Sequence, residues 1–345
     1  MSGTNSLDII EGFAVETPDG LIFTVKGLLH PPDRVIAYLR YLPDSTGKRL
    51  RNGIPYRRVY HFAEQQEILE TSYPTYLAHD PAFGLSLQSV PRREIDTVYD
   101  PRSYLAALRQ QGPGDHLEAD ALALAALIHK TADVPRENLG VSGSLMLDLH
   151  RPTSDIDLVV YGTHTGRTVH QRLLGLLHEK EGELRRPNQE ELAKIYAEHR
   201  RDTPLPFDSF LRLQTRKVNE LRFRGRETFI RFVRLPDDTE ERYGDRRFEP
   251  LRRTSTQARV TDDRGAIFTP CRYRVEDATL LDGSPLPDLR EIVSFRGRFS
   301  DQVRAGEWAV AQGSLERVVR KDRRLYHRLV VGGHAGDYLL SRERV

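Results

Sequence analysis

Two carboxylates stand two residues apart in the run Ser154-Asp155-Ile156-Asp157-Leu158-Val159-Val160. In an extended strand successive side chains point to opposite faces, so Asp155 and Asp157 project the same way. Ile156, Leu158 and Val160 take the other face and can anchor the strand in a core. Carboxylates held this close repel each other unless a cation lies between them. Magnesium, or manganese in its place, is the natural partner, because such ions take oxygen ligands and share them with substrate phosphates. A short excursion upstream, Gly143-Ser144 offers a small-residue turn that lets a phosphate approach the backbone.

The chemistry that needs both features is nucleotidyl transfer: an attacking hydroxyl, an in-line α-phosphate and metal-assisted neutralisation of the developing charge. Leu139-Gly140-Val141-Ser142-Gly143-Ser144, then Ser154-Asp155-Ile156-Asp157-Leu158, resembles the signature of the DNA polymerase beta-like nucleotidyltransferase superfamily. That signature is an apolar strand ending in Gly-Ser, a short helix, then Asp-x-Asp on the next strand. It covers the core of one domain. The resemblance implies a metal-dependent enzyme that moves a nucleoside monophosphate from an NTP such as ATP to a hydroxyl. Asp155 and Asp157 would hold the metal. Gly143, Ser144, Ser154 and Arg151 would contact the nucleotide, the Gly-Ser turn opening a helix whose N–H groups favour phosphate.

Members of the superfamily commonly add a third carboxylate on a later strand, and here the pattern departs. The strand expected over 228–235 carries Arg231 where an acid would be natural. Glu227 shares its face by alternation and is the candidate; Asp208 is the runner-up. Both are equally explained as solvated surface carboxylates. Arg151, beside Pro152, also fits a plain loop residue. Arg216, Lys217, Arg222, Arg224 and Arg226 suggest a phosphate-backbone track, although Glu220 and Glu227 among them favour an ion-paired face. Ser294-Phe295-Arg296-Gly297-Arg298-Phe299 interleaves aromatic and basic residues as RNA platforms do, or is a core-facing strand with exposed arginines. The acceptor is therefore open, with RNA one candidate, and a catalytically inactive nucleotide- or RNA-binding scaffold is the alternative reading.

These residues must be positioned by elements whose signals are local. Asp100-Pro101 and Asp115 read as helix caps, and Asn188-Gln189-Glu190-Glu191 as a capping box. A helix is expected over 168–180, and strands over 139–141 and 226–235. Residues 1–98 read as a β-rich domain with a turn at Thr17-Pro18-Asp19-Gly20; 99–242 hold the nucleotidyltransferase-like domain. Residues 243–345 read as short strands closing into a small barrel, with a hairpin turn at Asp262-Asp263-Arg264-Gly265. The fold class is thus α+β, a central mixed sheet flanked by β-rich parts.

The chain's 345 residues are 38% hydrophobic and 30% charged, with net charge +2. That balance argues against a strongly basic nucleic-acid protein. A single cysteine, Cys271, excludes an intrachain disulfide framework and a cysteine zinc cluster. No apolar run approaches a membrane span, and no basic-then-apolar leader opens the chain, so a cytoplasmic protein without membrane partners is expected. Phosphate-binding Gly-x-x-x-x-Gly-Lys and Rossmann glycine patterns are absent.

Overall fold

Strands rich in Val, Ile, Tyr and Phe open the fold. The computed structural model describes residues 8–177, 182–200, 203 and 205–342. β1 (Ala14–Glu16) and β2 (Ile22–Val25) form the hairpin expected at Thr17–Gly20, with Gly20 at φ +77°. β3 (Arg34–Pro43) is the hub, pairing with β7 at its start, then with β2, and with β5 at its end. β4 (Arg49–Arg51) and β5 (Ile54–Arg58) turn through Asn52-Gly53, both at positive φ as such a hairpin requires. Helix α1 (Phe62–Ser72), β6 (Leu77–Asp80), β7 (Leu85–Pro91) and β8 (Thr97–Tyr99) complete this first, curled sheet.

Asp100 and Asp115 cap α2 (Pro101–Gln111) and α3 (His116–Ala132) by accepting the Arg102 and Glu118 backbone N–H groups. β9 (Leu139–Ser142), α4 (Gly143–Met146), β10 (Ile156–Tyr161) and α5 (Thr163–Leu176) follow. Then come β11 (Leu184–Arg185), α6 (Gln189–His199) behind its Asn188 capping box, α7 (Phe207–Gln214), β12 (Glu220–Phe223) and β13 (Arg226–Val233). The second sheet runs β11-β12-β13-β10-β9, mixed because β10 is parallel to β13 and antiparallel to β9.

Alternation decides what covers this sheet. Ile156, Leu158, Val160, Ile230 and Phe232 pack under α3 and α5. Val159, Tyr161 and Val233 face the other way and enter the core of the first sheet, against residues such as Phe13 and Val35. Asp157 shares the face of Val159 and Tyr161, so the motif opens into the seam between the two sheets.

The third sheet comprises β14 (Arg246–Gly265), β15 (Cys271–Leu280), β16 (Leu289–Ser294), β17 (Trp308–Arg320), β18 (Leu325–Val330) and β19 (Tyr338–Arg342). β14 pairs with both β15 and β17, which closes the sheet into a ring around Ala258, Val260, Tyr273, Ile292 and Leu329. The α+β class holds, with a ring-like sheet at the C-terminal end. Among the described residues no helix is long and apolar enough to cross a membrane.

Several local expectations shift. α5 begins at Thr163 rather than near 168, and residues 178–180 of the expected helix lie outside the described residues. Its Thr- and Gly-rich first turn reads as loop, yet Gly166 lets the helix press on Phe232 and Phe268, and Asn138 Nδ2 donates to Thr165 Oγ1 at 2.8 Å. The stretch over 262–265 is strand, not turn; the chain reverses between Gly265 and Cys271, through a cis Thr269–Pro270 bond. Where only short strands are expected, Trp308–Arg320 is one long strand, β17, because its first part pairs with β19 and its second with β18.

Candidate functional site

The Gly-Ser turn and the aspartate pair meet through strand register. Ser142, the last residue of β9, lies opposite Asp157 of β10, so Gly143 starts α4 beside the Asp157 side chain. Gly143 has φ +71°, and a Cβ there would overlap the Asp157 carboxylate. Glycine is thus required twice, for conformation and for space. The Ser144 hydroxyl takes no protein partner among the described residues, although the residue is buried. Burial, then the neighbouring Asp155, push the Asp157 carboxyl well above the usual carboxylate range, against the pull of Arg231, Arg40 and Arg58. Burial and a neighbouring like charge both disfavour the ionised carboxylate.

Arg40 and Arg58, and with them Arg49, had no local signal as site residues. Arg40 ends the inner part of β3, and Arg58 ends β5 beside it, where Val59 N–H donates to the Arg40 carbonyl at 2.9 Å. Their guanidiniums both lie against the ring of Tyr60, 4.9 and 5.1 Å from its centroid. Arg49, from β4, donates to the Leu149 carbonyl in the loop between the motif halves, with Asp155 close enough to favour its charge. The first sheet therefore supplies a basic wall to the site, and only chain packing brings it there.

Arg231, which stands where an acid was expected, has a defined role. It donates to Glu11 Oε1 at 3.1 Å, and Glu11 also accepts from Lys26 Nζ at 3.2 Å and the Gly27 N–H at 2.8 Å. Glu11 is thus fully engaged in joining the first two sheets and is not free to serve as a third ligand.

Glu227 precedes Thr228, which pairs with Ile156, so the register sets it alongside Asp155. Its side chain is 60% exposed and pairs with Arg222 at 2.9 Å. Asp208 is exposed on the first turn of α7. Glu220 faces the same side as Asp157 but lies two strands away, with Phe229 between them in the register. That separation is roughly 10 Å, too far to share one ion. Among the described residues no three His, Cys, Asp or Glu side chains converge to hold a metal.

The nucleotide-contact candidates divide. Gly143 and Ser144 are in the site. Arg151 is exposed and donates to the Lys48 carbonyl at 2.6 Å, tying the motif loop to the first sheet. Ser154 is buried, and its hydroxyl accepts the Arg151 N–H at 3.0 Å to shape the turn before Asp155.

The basic track is ion-paired throughout: Arg216 with Glu307, Lys217 with Glu220, Arg222 with Glu191 and Glu227, and Arg224 and Arg226 with Asp120. The aromatic-basic run is no strand past Ser294. Phe299 is buried in the third core and Phe295 packs edge-on to Phe83, so neither ring forms a stacking platform.

No family model matches the chain, and no solved structure matches it. A protein of Methanocaldococcus jannaschii, named Uncharacterized protein MJ1086, is 30% identical over 327 residues, spanning 92% of this chain and 94% of the other.

Proposed function

This chain belongs to one family with that archaeal protein, and we propose that it is a metal-dependent nucleotidyltransferase whose site is Gly143, Ser144, Asp155 and Asp157. One observation carries the reading: the Gly143 backbone, in a left-handed conformation that glycine adopts freely, passes so close to Asp157 that the Gly-Ser turn and the carboxylate pair lie in one place.

The donor set fits a divalent ion that arrives with its nucleotide. Two adjacent carboxylates without a third suit magnesium, which commonly takes one or two carboxylates and completes its shell with water and phosphate oxygens. Asp155 and Asp157 would hold it, and when bound it would polarise the α-phosphate and neutralise the departing pyrophosphate. The Ser144 hydroxyl, unengaged among the described residues, can donate to a phosphate oxygen of the nucleotide. The acceptor, whether RNA, protein or small molecule, is left to experiment.

The second reading is an inactive nucleotide- or RNA-binding scaffold, favoured by Glu227 turning to Arg222 rather than to the aspartates. Incubation with each α-labelled NTP, magnesium or manganese, and RNA or lysate decides between them. Transfer of label that disappears in the Asp155→Asn/Asp157→Asn variant is expected. Metal-independent NTP binding with no label moved to any acceptor class would instead establish the scaffold reading.

A further inference from the structure

Arg40 and Arg58 differ from the arginines that flank them in the first sheet. Neighbouring arginines are engaged: Arg57 with Asp44 and Glu64, Arg51 with Glu16, Arg49 with the Leu149 carbonyl. Among the described residues, Arg40 and Arg58 form no ion pair with an adjacent carboxylate. Arg58 Nε is buried with no hydrogen-bond partner. Both guanidiniums rest on the one Tyr60 ring, which keeps two like charges side by side. Burial and the nearness of Arg58 hold the Arg40 guanidinium below its ordinary range, so its charge is under-compensated. Two half-buried guanidiniums side by side, with no carboxylate in contact, suit an anionic ligand that can bridge them.

We infer that Arg40 and Arg58, supported by Tyr60, form a triphosphate clamp contributed to the aspartate site by the first sheet. This rests on the nucleotidyl-transfer reading and assigns the first sheet a substrate-binding role. The compactness of the pair selects the ligand. A polynucleotide backbone needs cations strung along several phosphates, and the surrounding arginines are already engaged. Two guanidiniums beside a carboxylate pair instead match adjoining phosphates that also bring a metal ion. The same geometry explains why the motif loop is strapped to the first sheet by the Arg49–Leu149 and Arg151–Lys48 contacts. Those straps keep the two halves of the site in register.

The test uses the full chain and inorganic tripolyphosphate, without metal, read by calorimetric titration and thermal shift. Wild type and Asp157→Asn are both expected to bind, because the clamp lies outside the metal ligands. Arg40→Gln and Arg58→Gln are each expected to bind at least tenfold more weakly. Ligand-free, the two variants should melt close to the wild-type temperature, since neither arginine is held by a carboxylate in contact; a purely structural arginine would give a clearly lower one. Arg40→Lys, which retains charge but loses the planar fork, should recover only part of the affinity.

Equal tripolyphosphate affinity in wild type and both glutamine variants overturns the clamp and leaves the transfer reading standing. Arginine-dependent binding with no nucleotidyl transfer overturns the transfer reading and leaves the clamp. Tighter arginine-dependent binding of single-stranded RNA than of tripolyphosphate or NTP replaces the triphosphate by a polynucleotide and overturns the inference.

Discussion

At Gly143 a single methyl group decides the site. Alanine there must adopt φ near +71° and displace the Asp157 carboxylate. Gly143→Ala is expected to cost about 1–3 kcal/mol of stability, read from urea denaturation midpoints. Transfer should fall about 100-fold, since displacing a ligating carboxylate misplaces the reacting groups. Unchanged activity would remove Gly143 from the site. Asp157 makes the opposite trade. Its raised folded pKa means the native state binds the proton more readily than the unfolded chain, so the ionised form costs stability at neutral pH, and the cost lifts as pH falls. Asp157→Asn should therefore melt about 2 °C higher than wild type without ligand, while losing transfer. A lower melting temperature would mean that its charge is compensated by Arg40, Arg58 and Arg231.

Among the elements, α3 couples ordinary helix chemistry to the motif. Asp115 caps it through the Glu118 N–H at 2.8 Å and its other oxygen meets His150 Nε2 at 2.7 Å, in the loop between the Gly-Ser turn and the aspartates. Asp115→Ala is expected to cost about 1 kcal/mol, by differential scanning calorimetry. It should also raise KM for NTP more than it lowers kcat, because the loop loses an anchor but the carboxylates stay. Cap residues of this kind are legible in sequence because they act within four residues. Thr163–Leu176 is the counter-example: its first turn has poor helix formers, and the helix forms there because Gly166 fits against Phe232 and Phe268. Tertiary packing outweighs propensities worth only tenths of a kcal/mol per residue.

The whole molecule should be acid-sensitive for reasons separate from the site. His30 is held neutral, its pKa pushed down to about 4 chiefly by burial, with ring nitrogens on the Ile9 carbonyl and the Ile36 N–H. His199 is likewise pushed down to about 4, again chiefly by burial. Between the ordinary histidine value of 6.5 and 4 the unfolded chain binds more protons than the native state. Their stabilising contribution is present above 6.5 and is lost as pH falls toward 4. Asp157 works in the other sense, while carboxyls held below their ordinary range, such as Glu191 by its bond from Arg185 and Asp262 by its bond from Arg264, add to the loss near pH 4. The melting temperature at low ionic strength should fall from pH 7 to pH 4, and His30→Gln should flatten the fall even if less stable at pH 7. Parallel curves for the two proteins would show that His30 is not the group responsible.

The sequence by itself determined the local make-up of the candidate site: which two carboxylates stand where the strand begins, which turn approaches them, and where helices are capped. Those are properties of neighbours in the chain, set by backbone periodicity and short-range hydrogen bonds. Only the tertiary structure decided what faces the aspartates. Arg40 and Arg58 come from more than ninety residues upstream, Glu11 from further still to neutralise Arg231, and Glu227 is drawn to Arg222 rather than to the site. Such contacts arise because Val159, Tyr161 and Val233 bury one face of the central sheet in the first sheet's core. Apolar burial has no direction along the chain, so the charges it carries into the seam leave no local pattern to read.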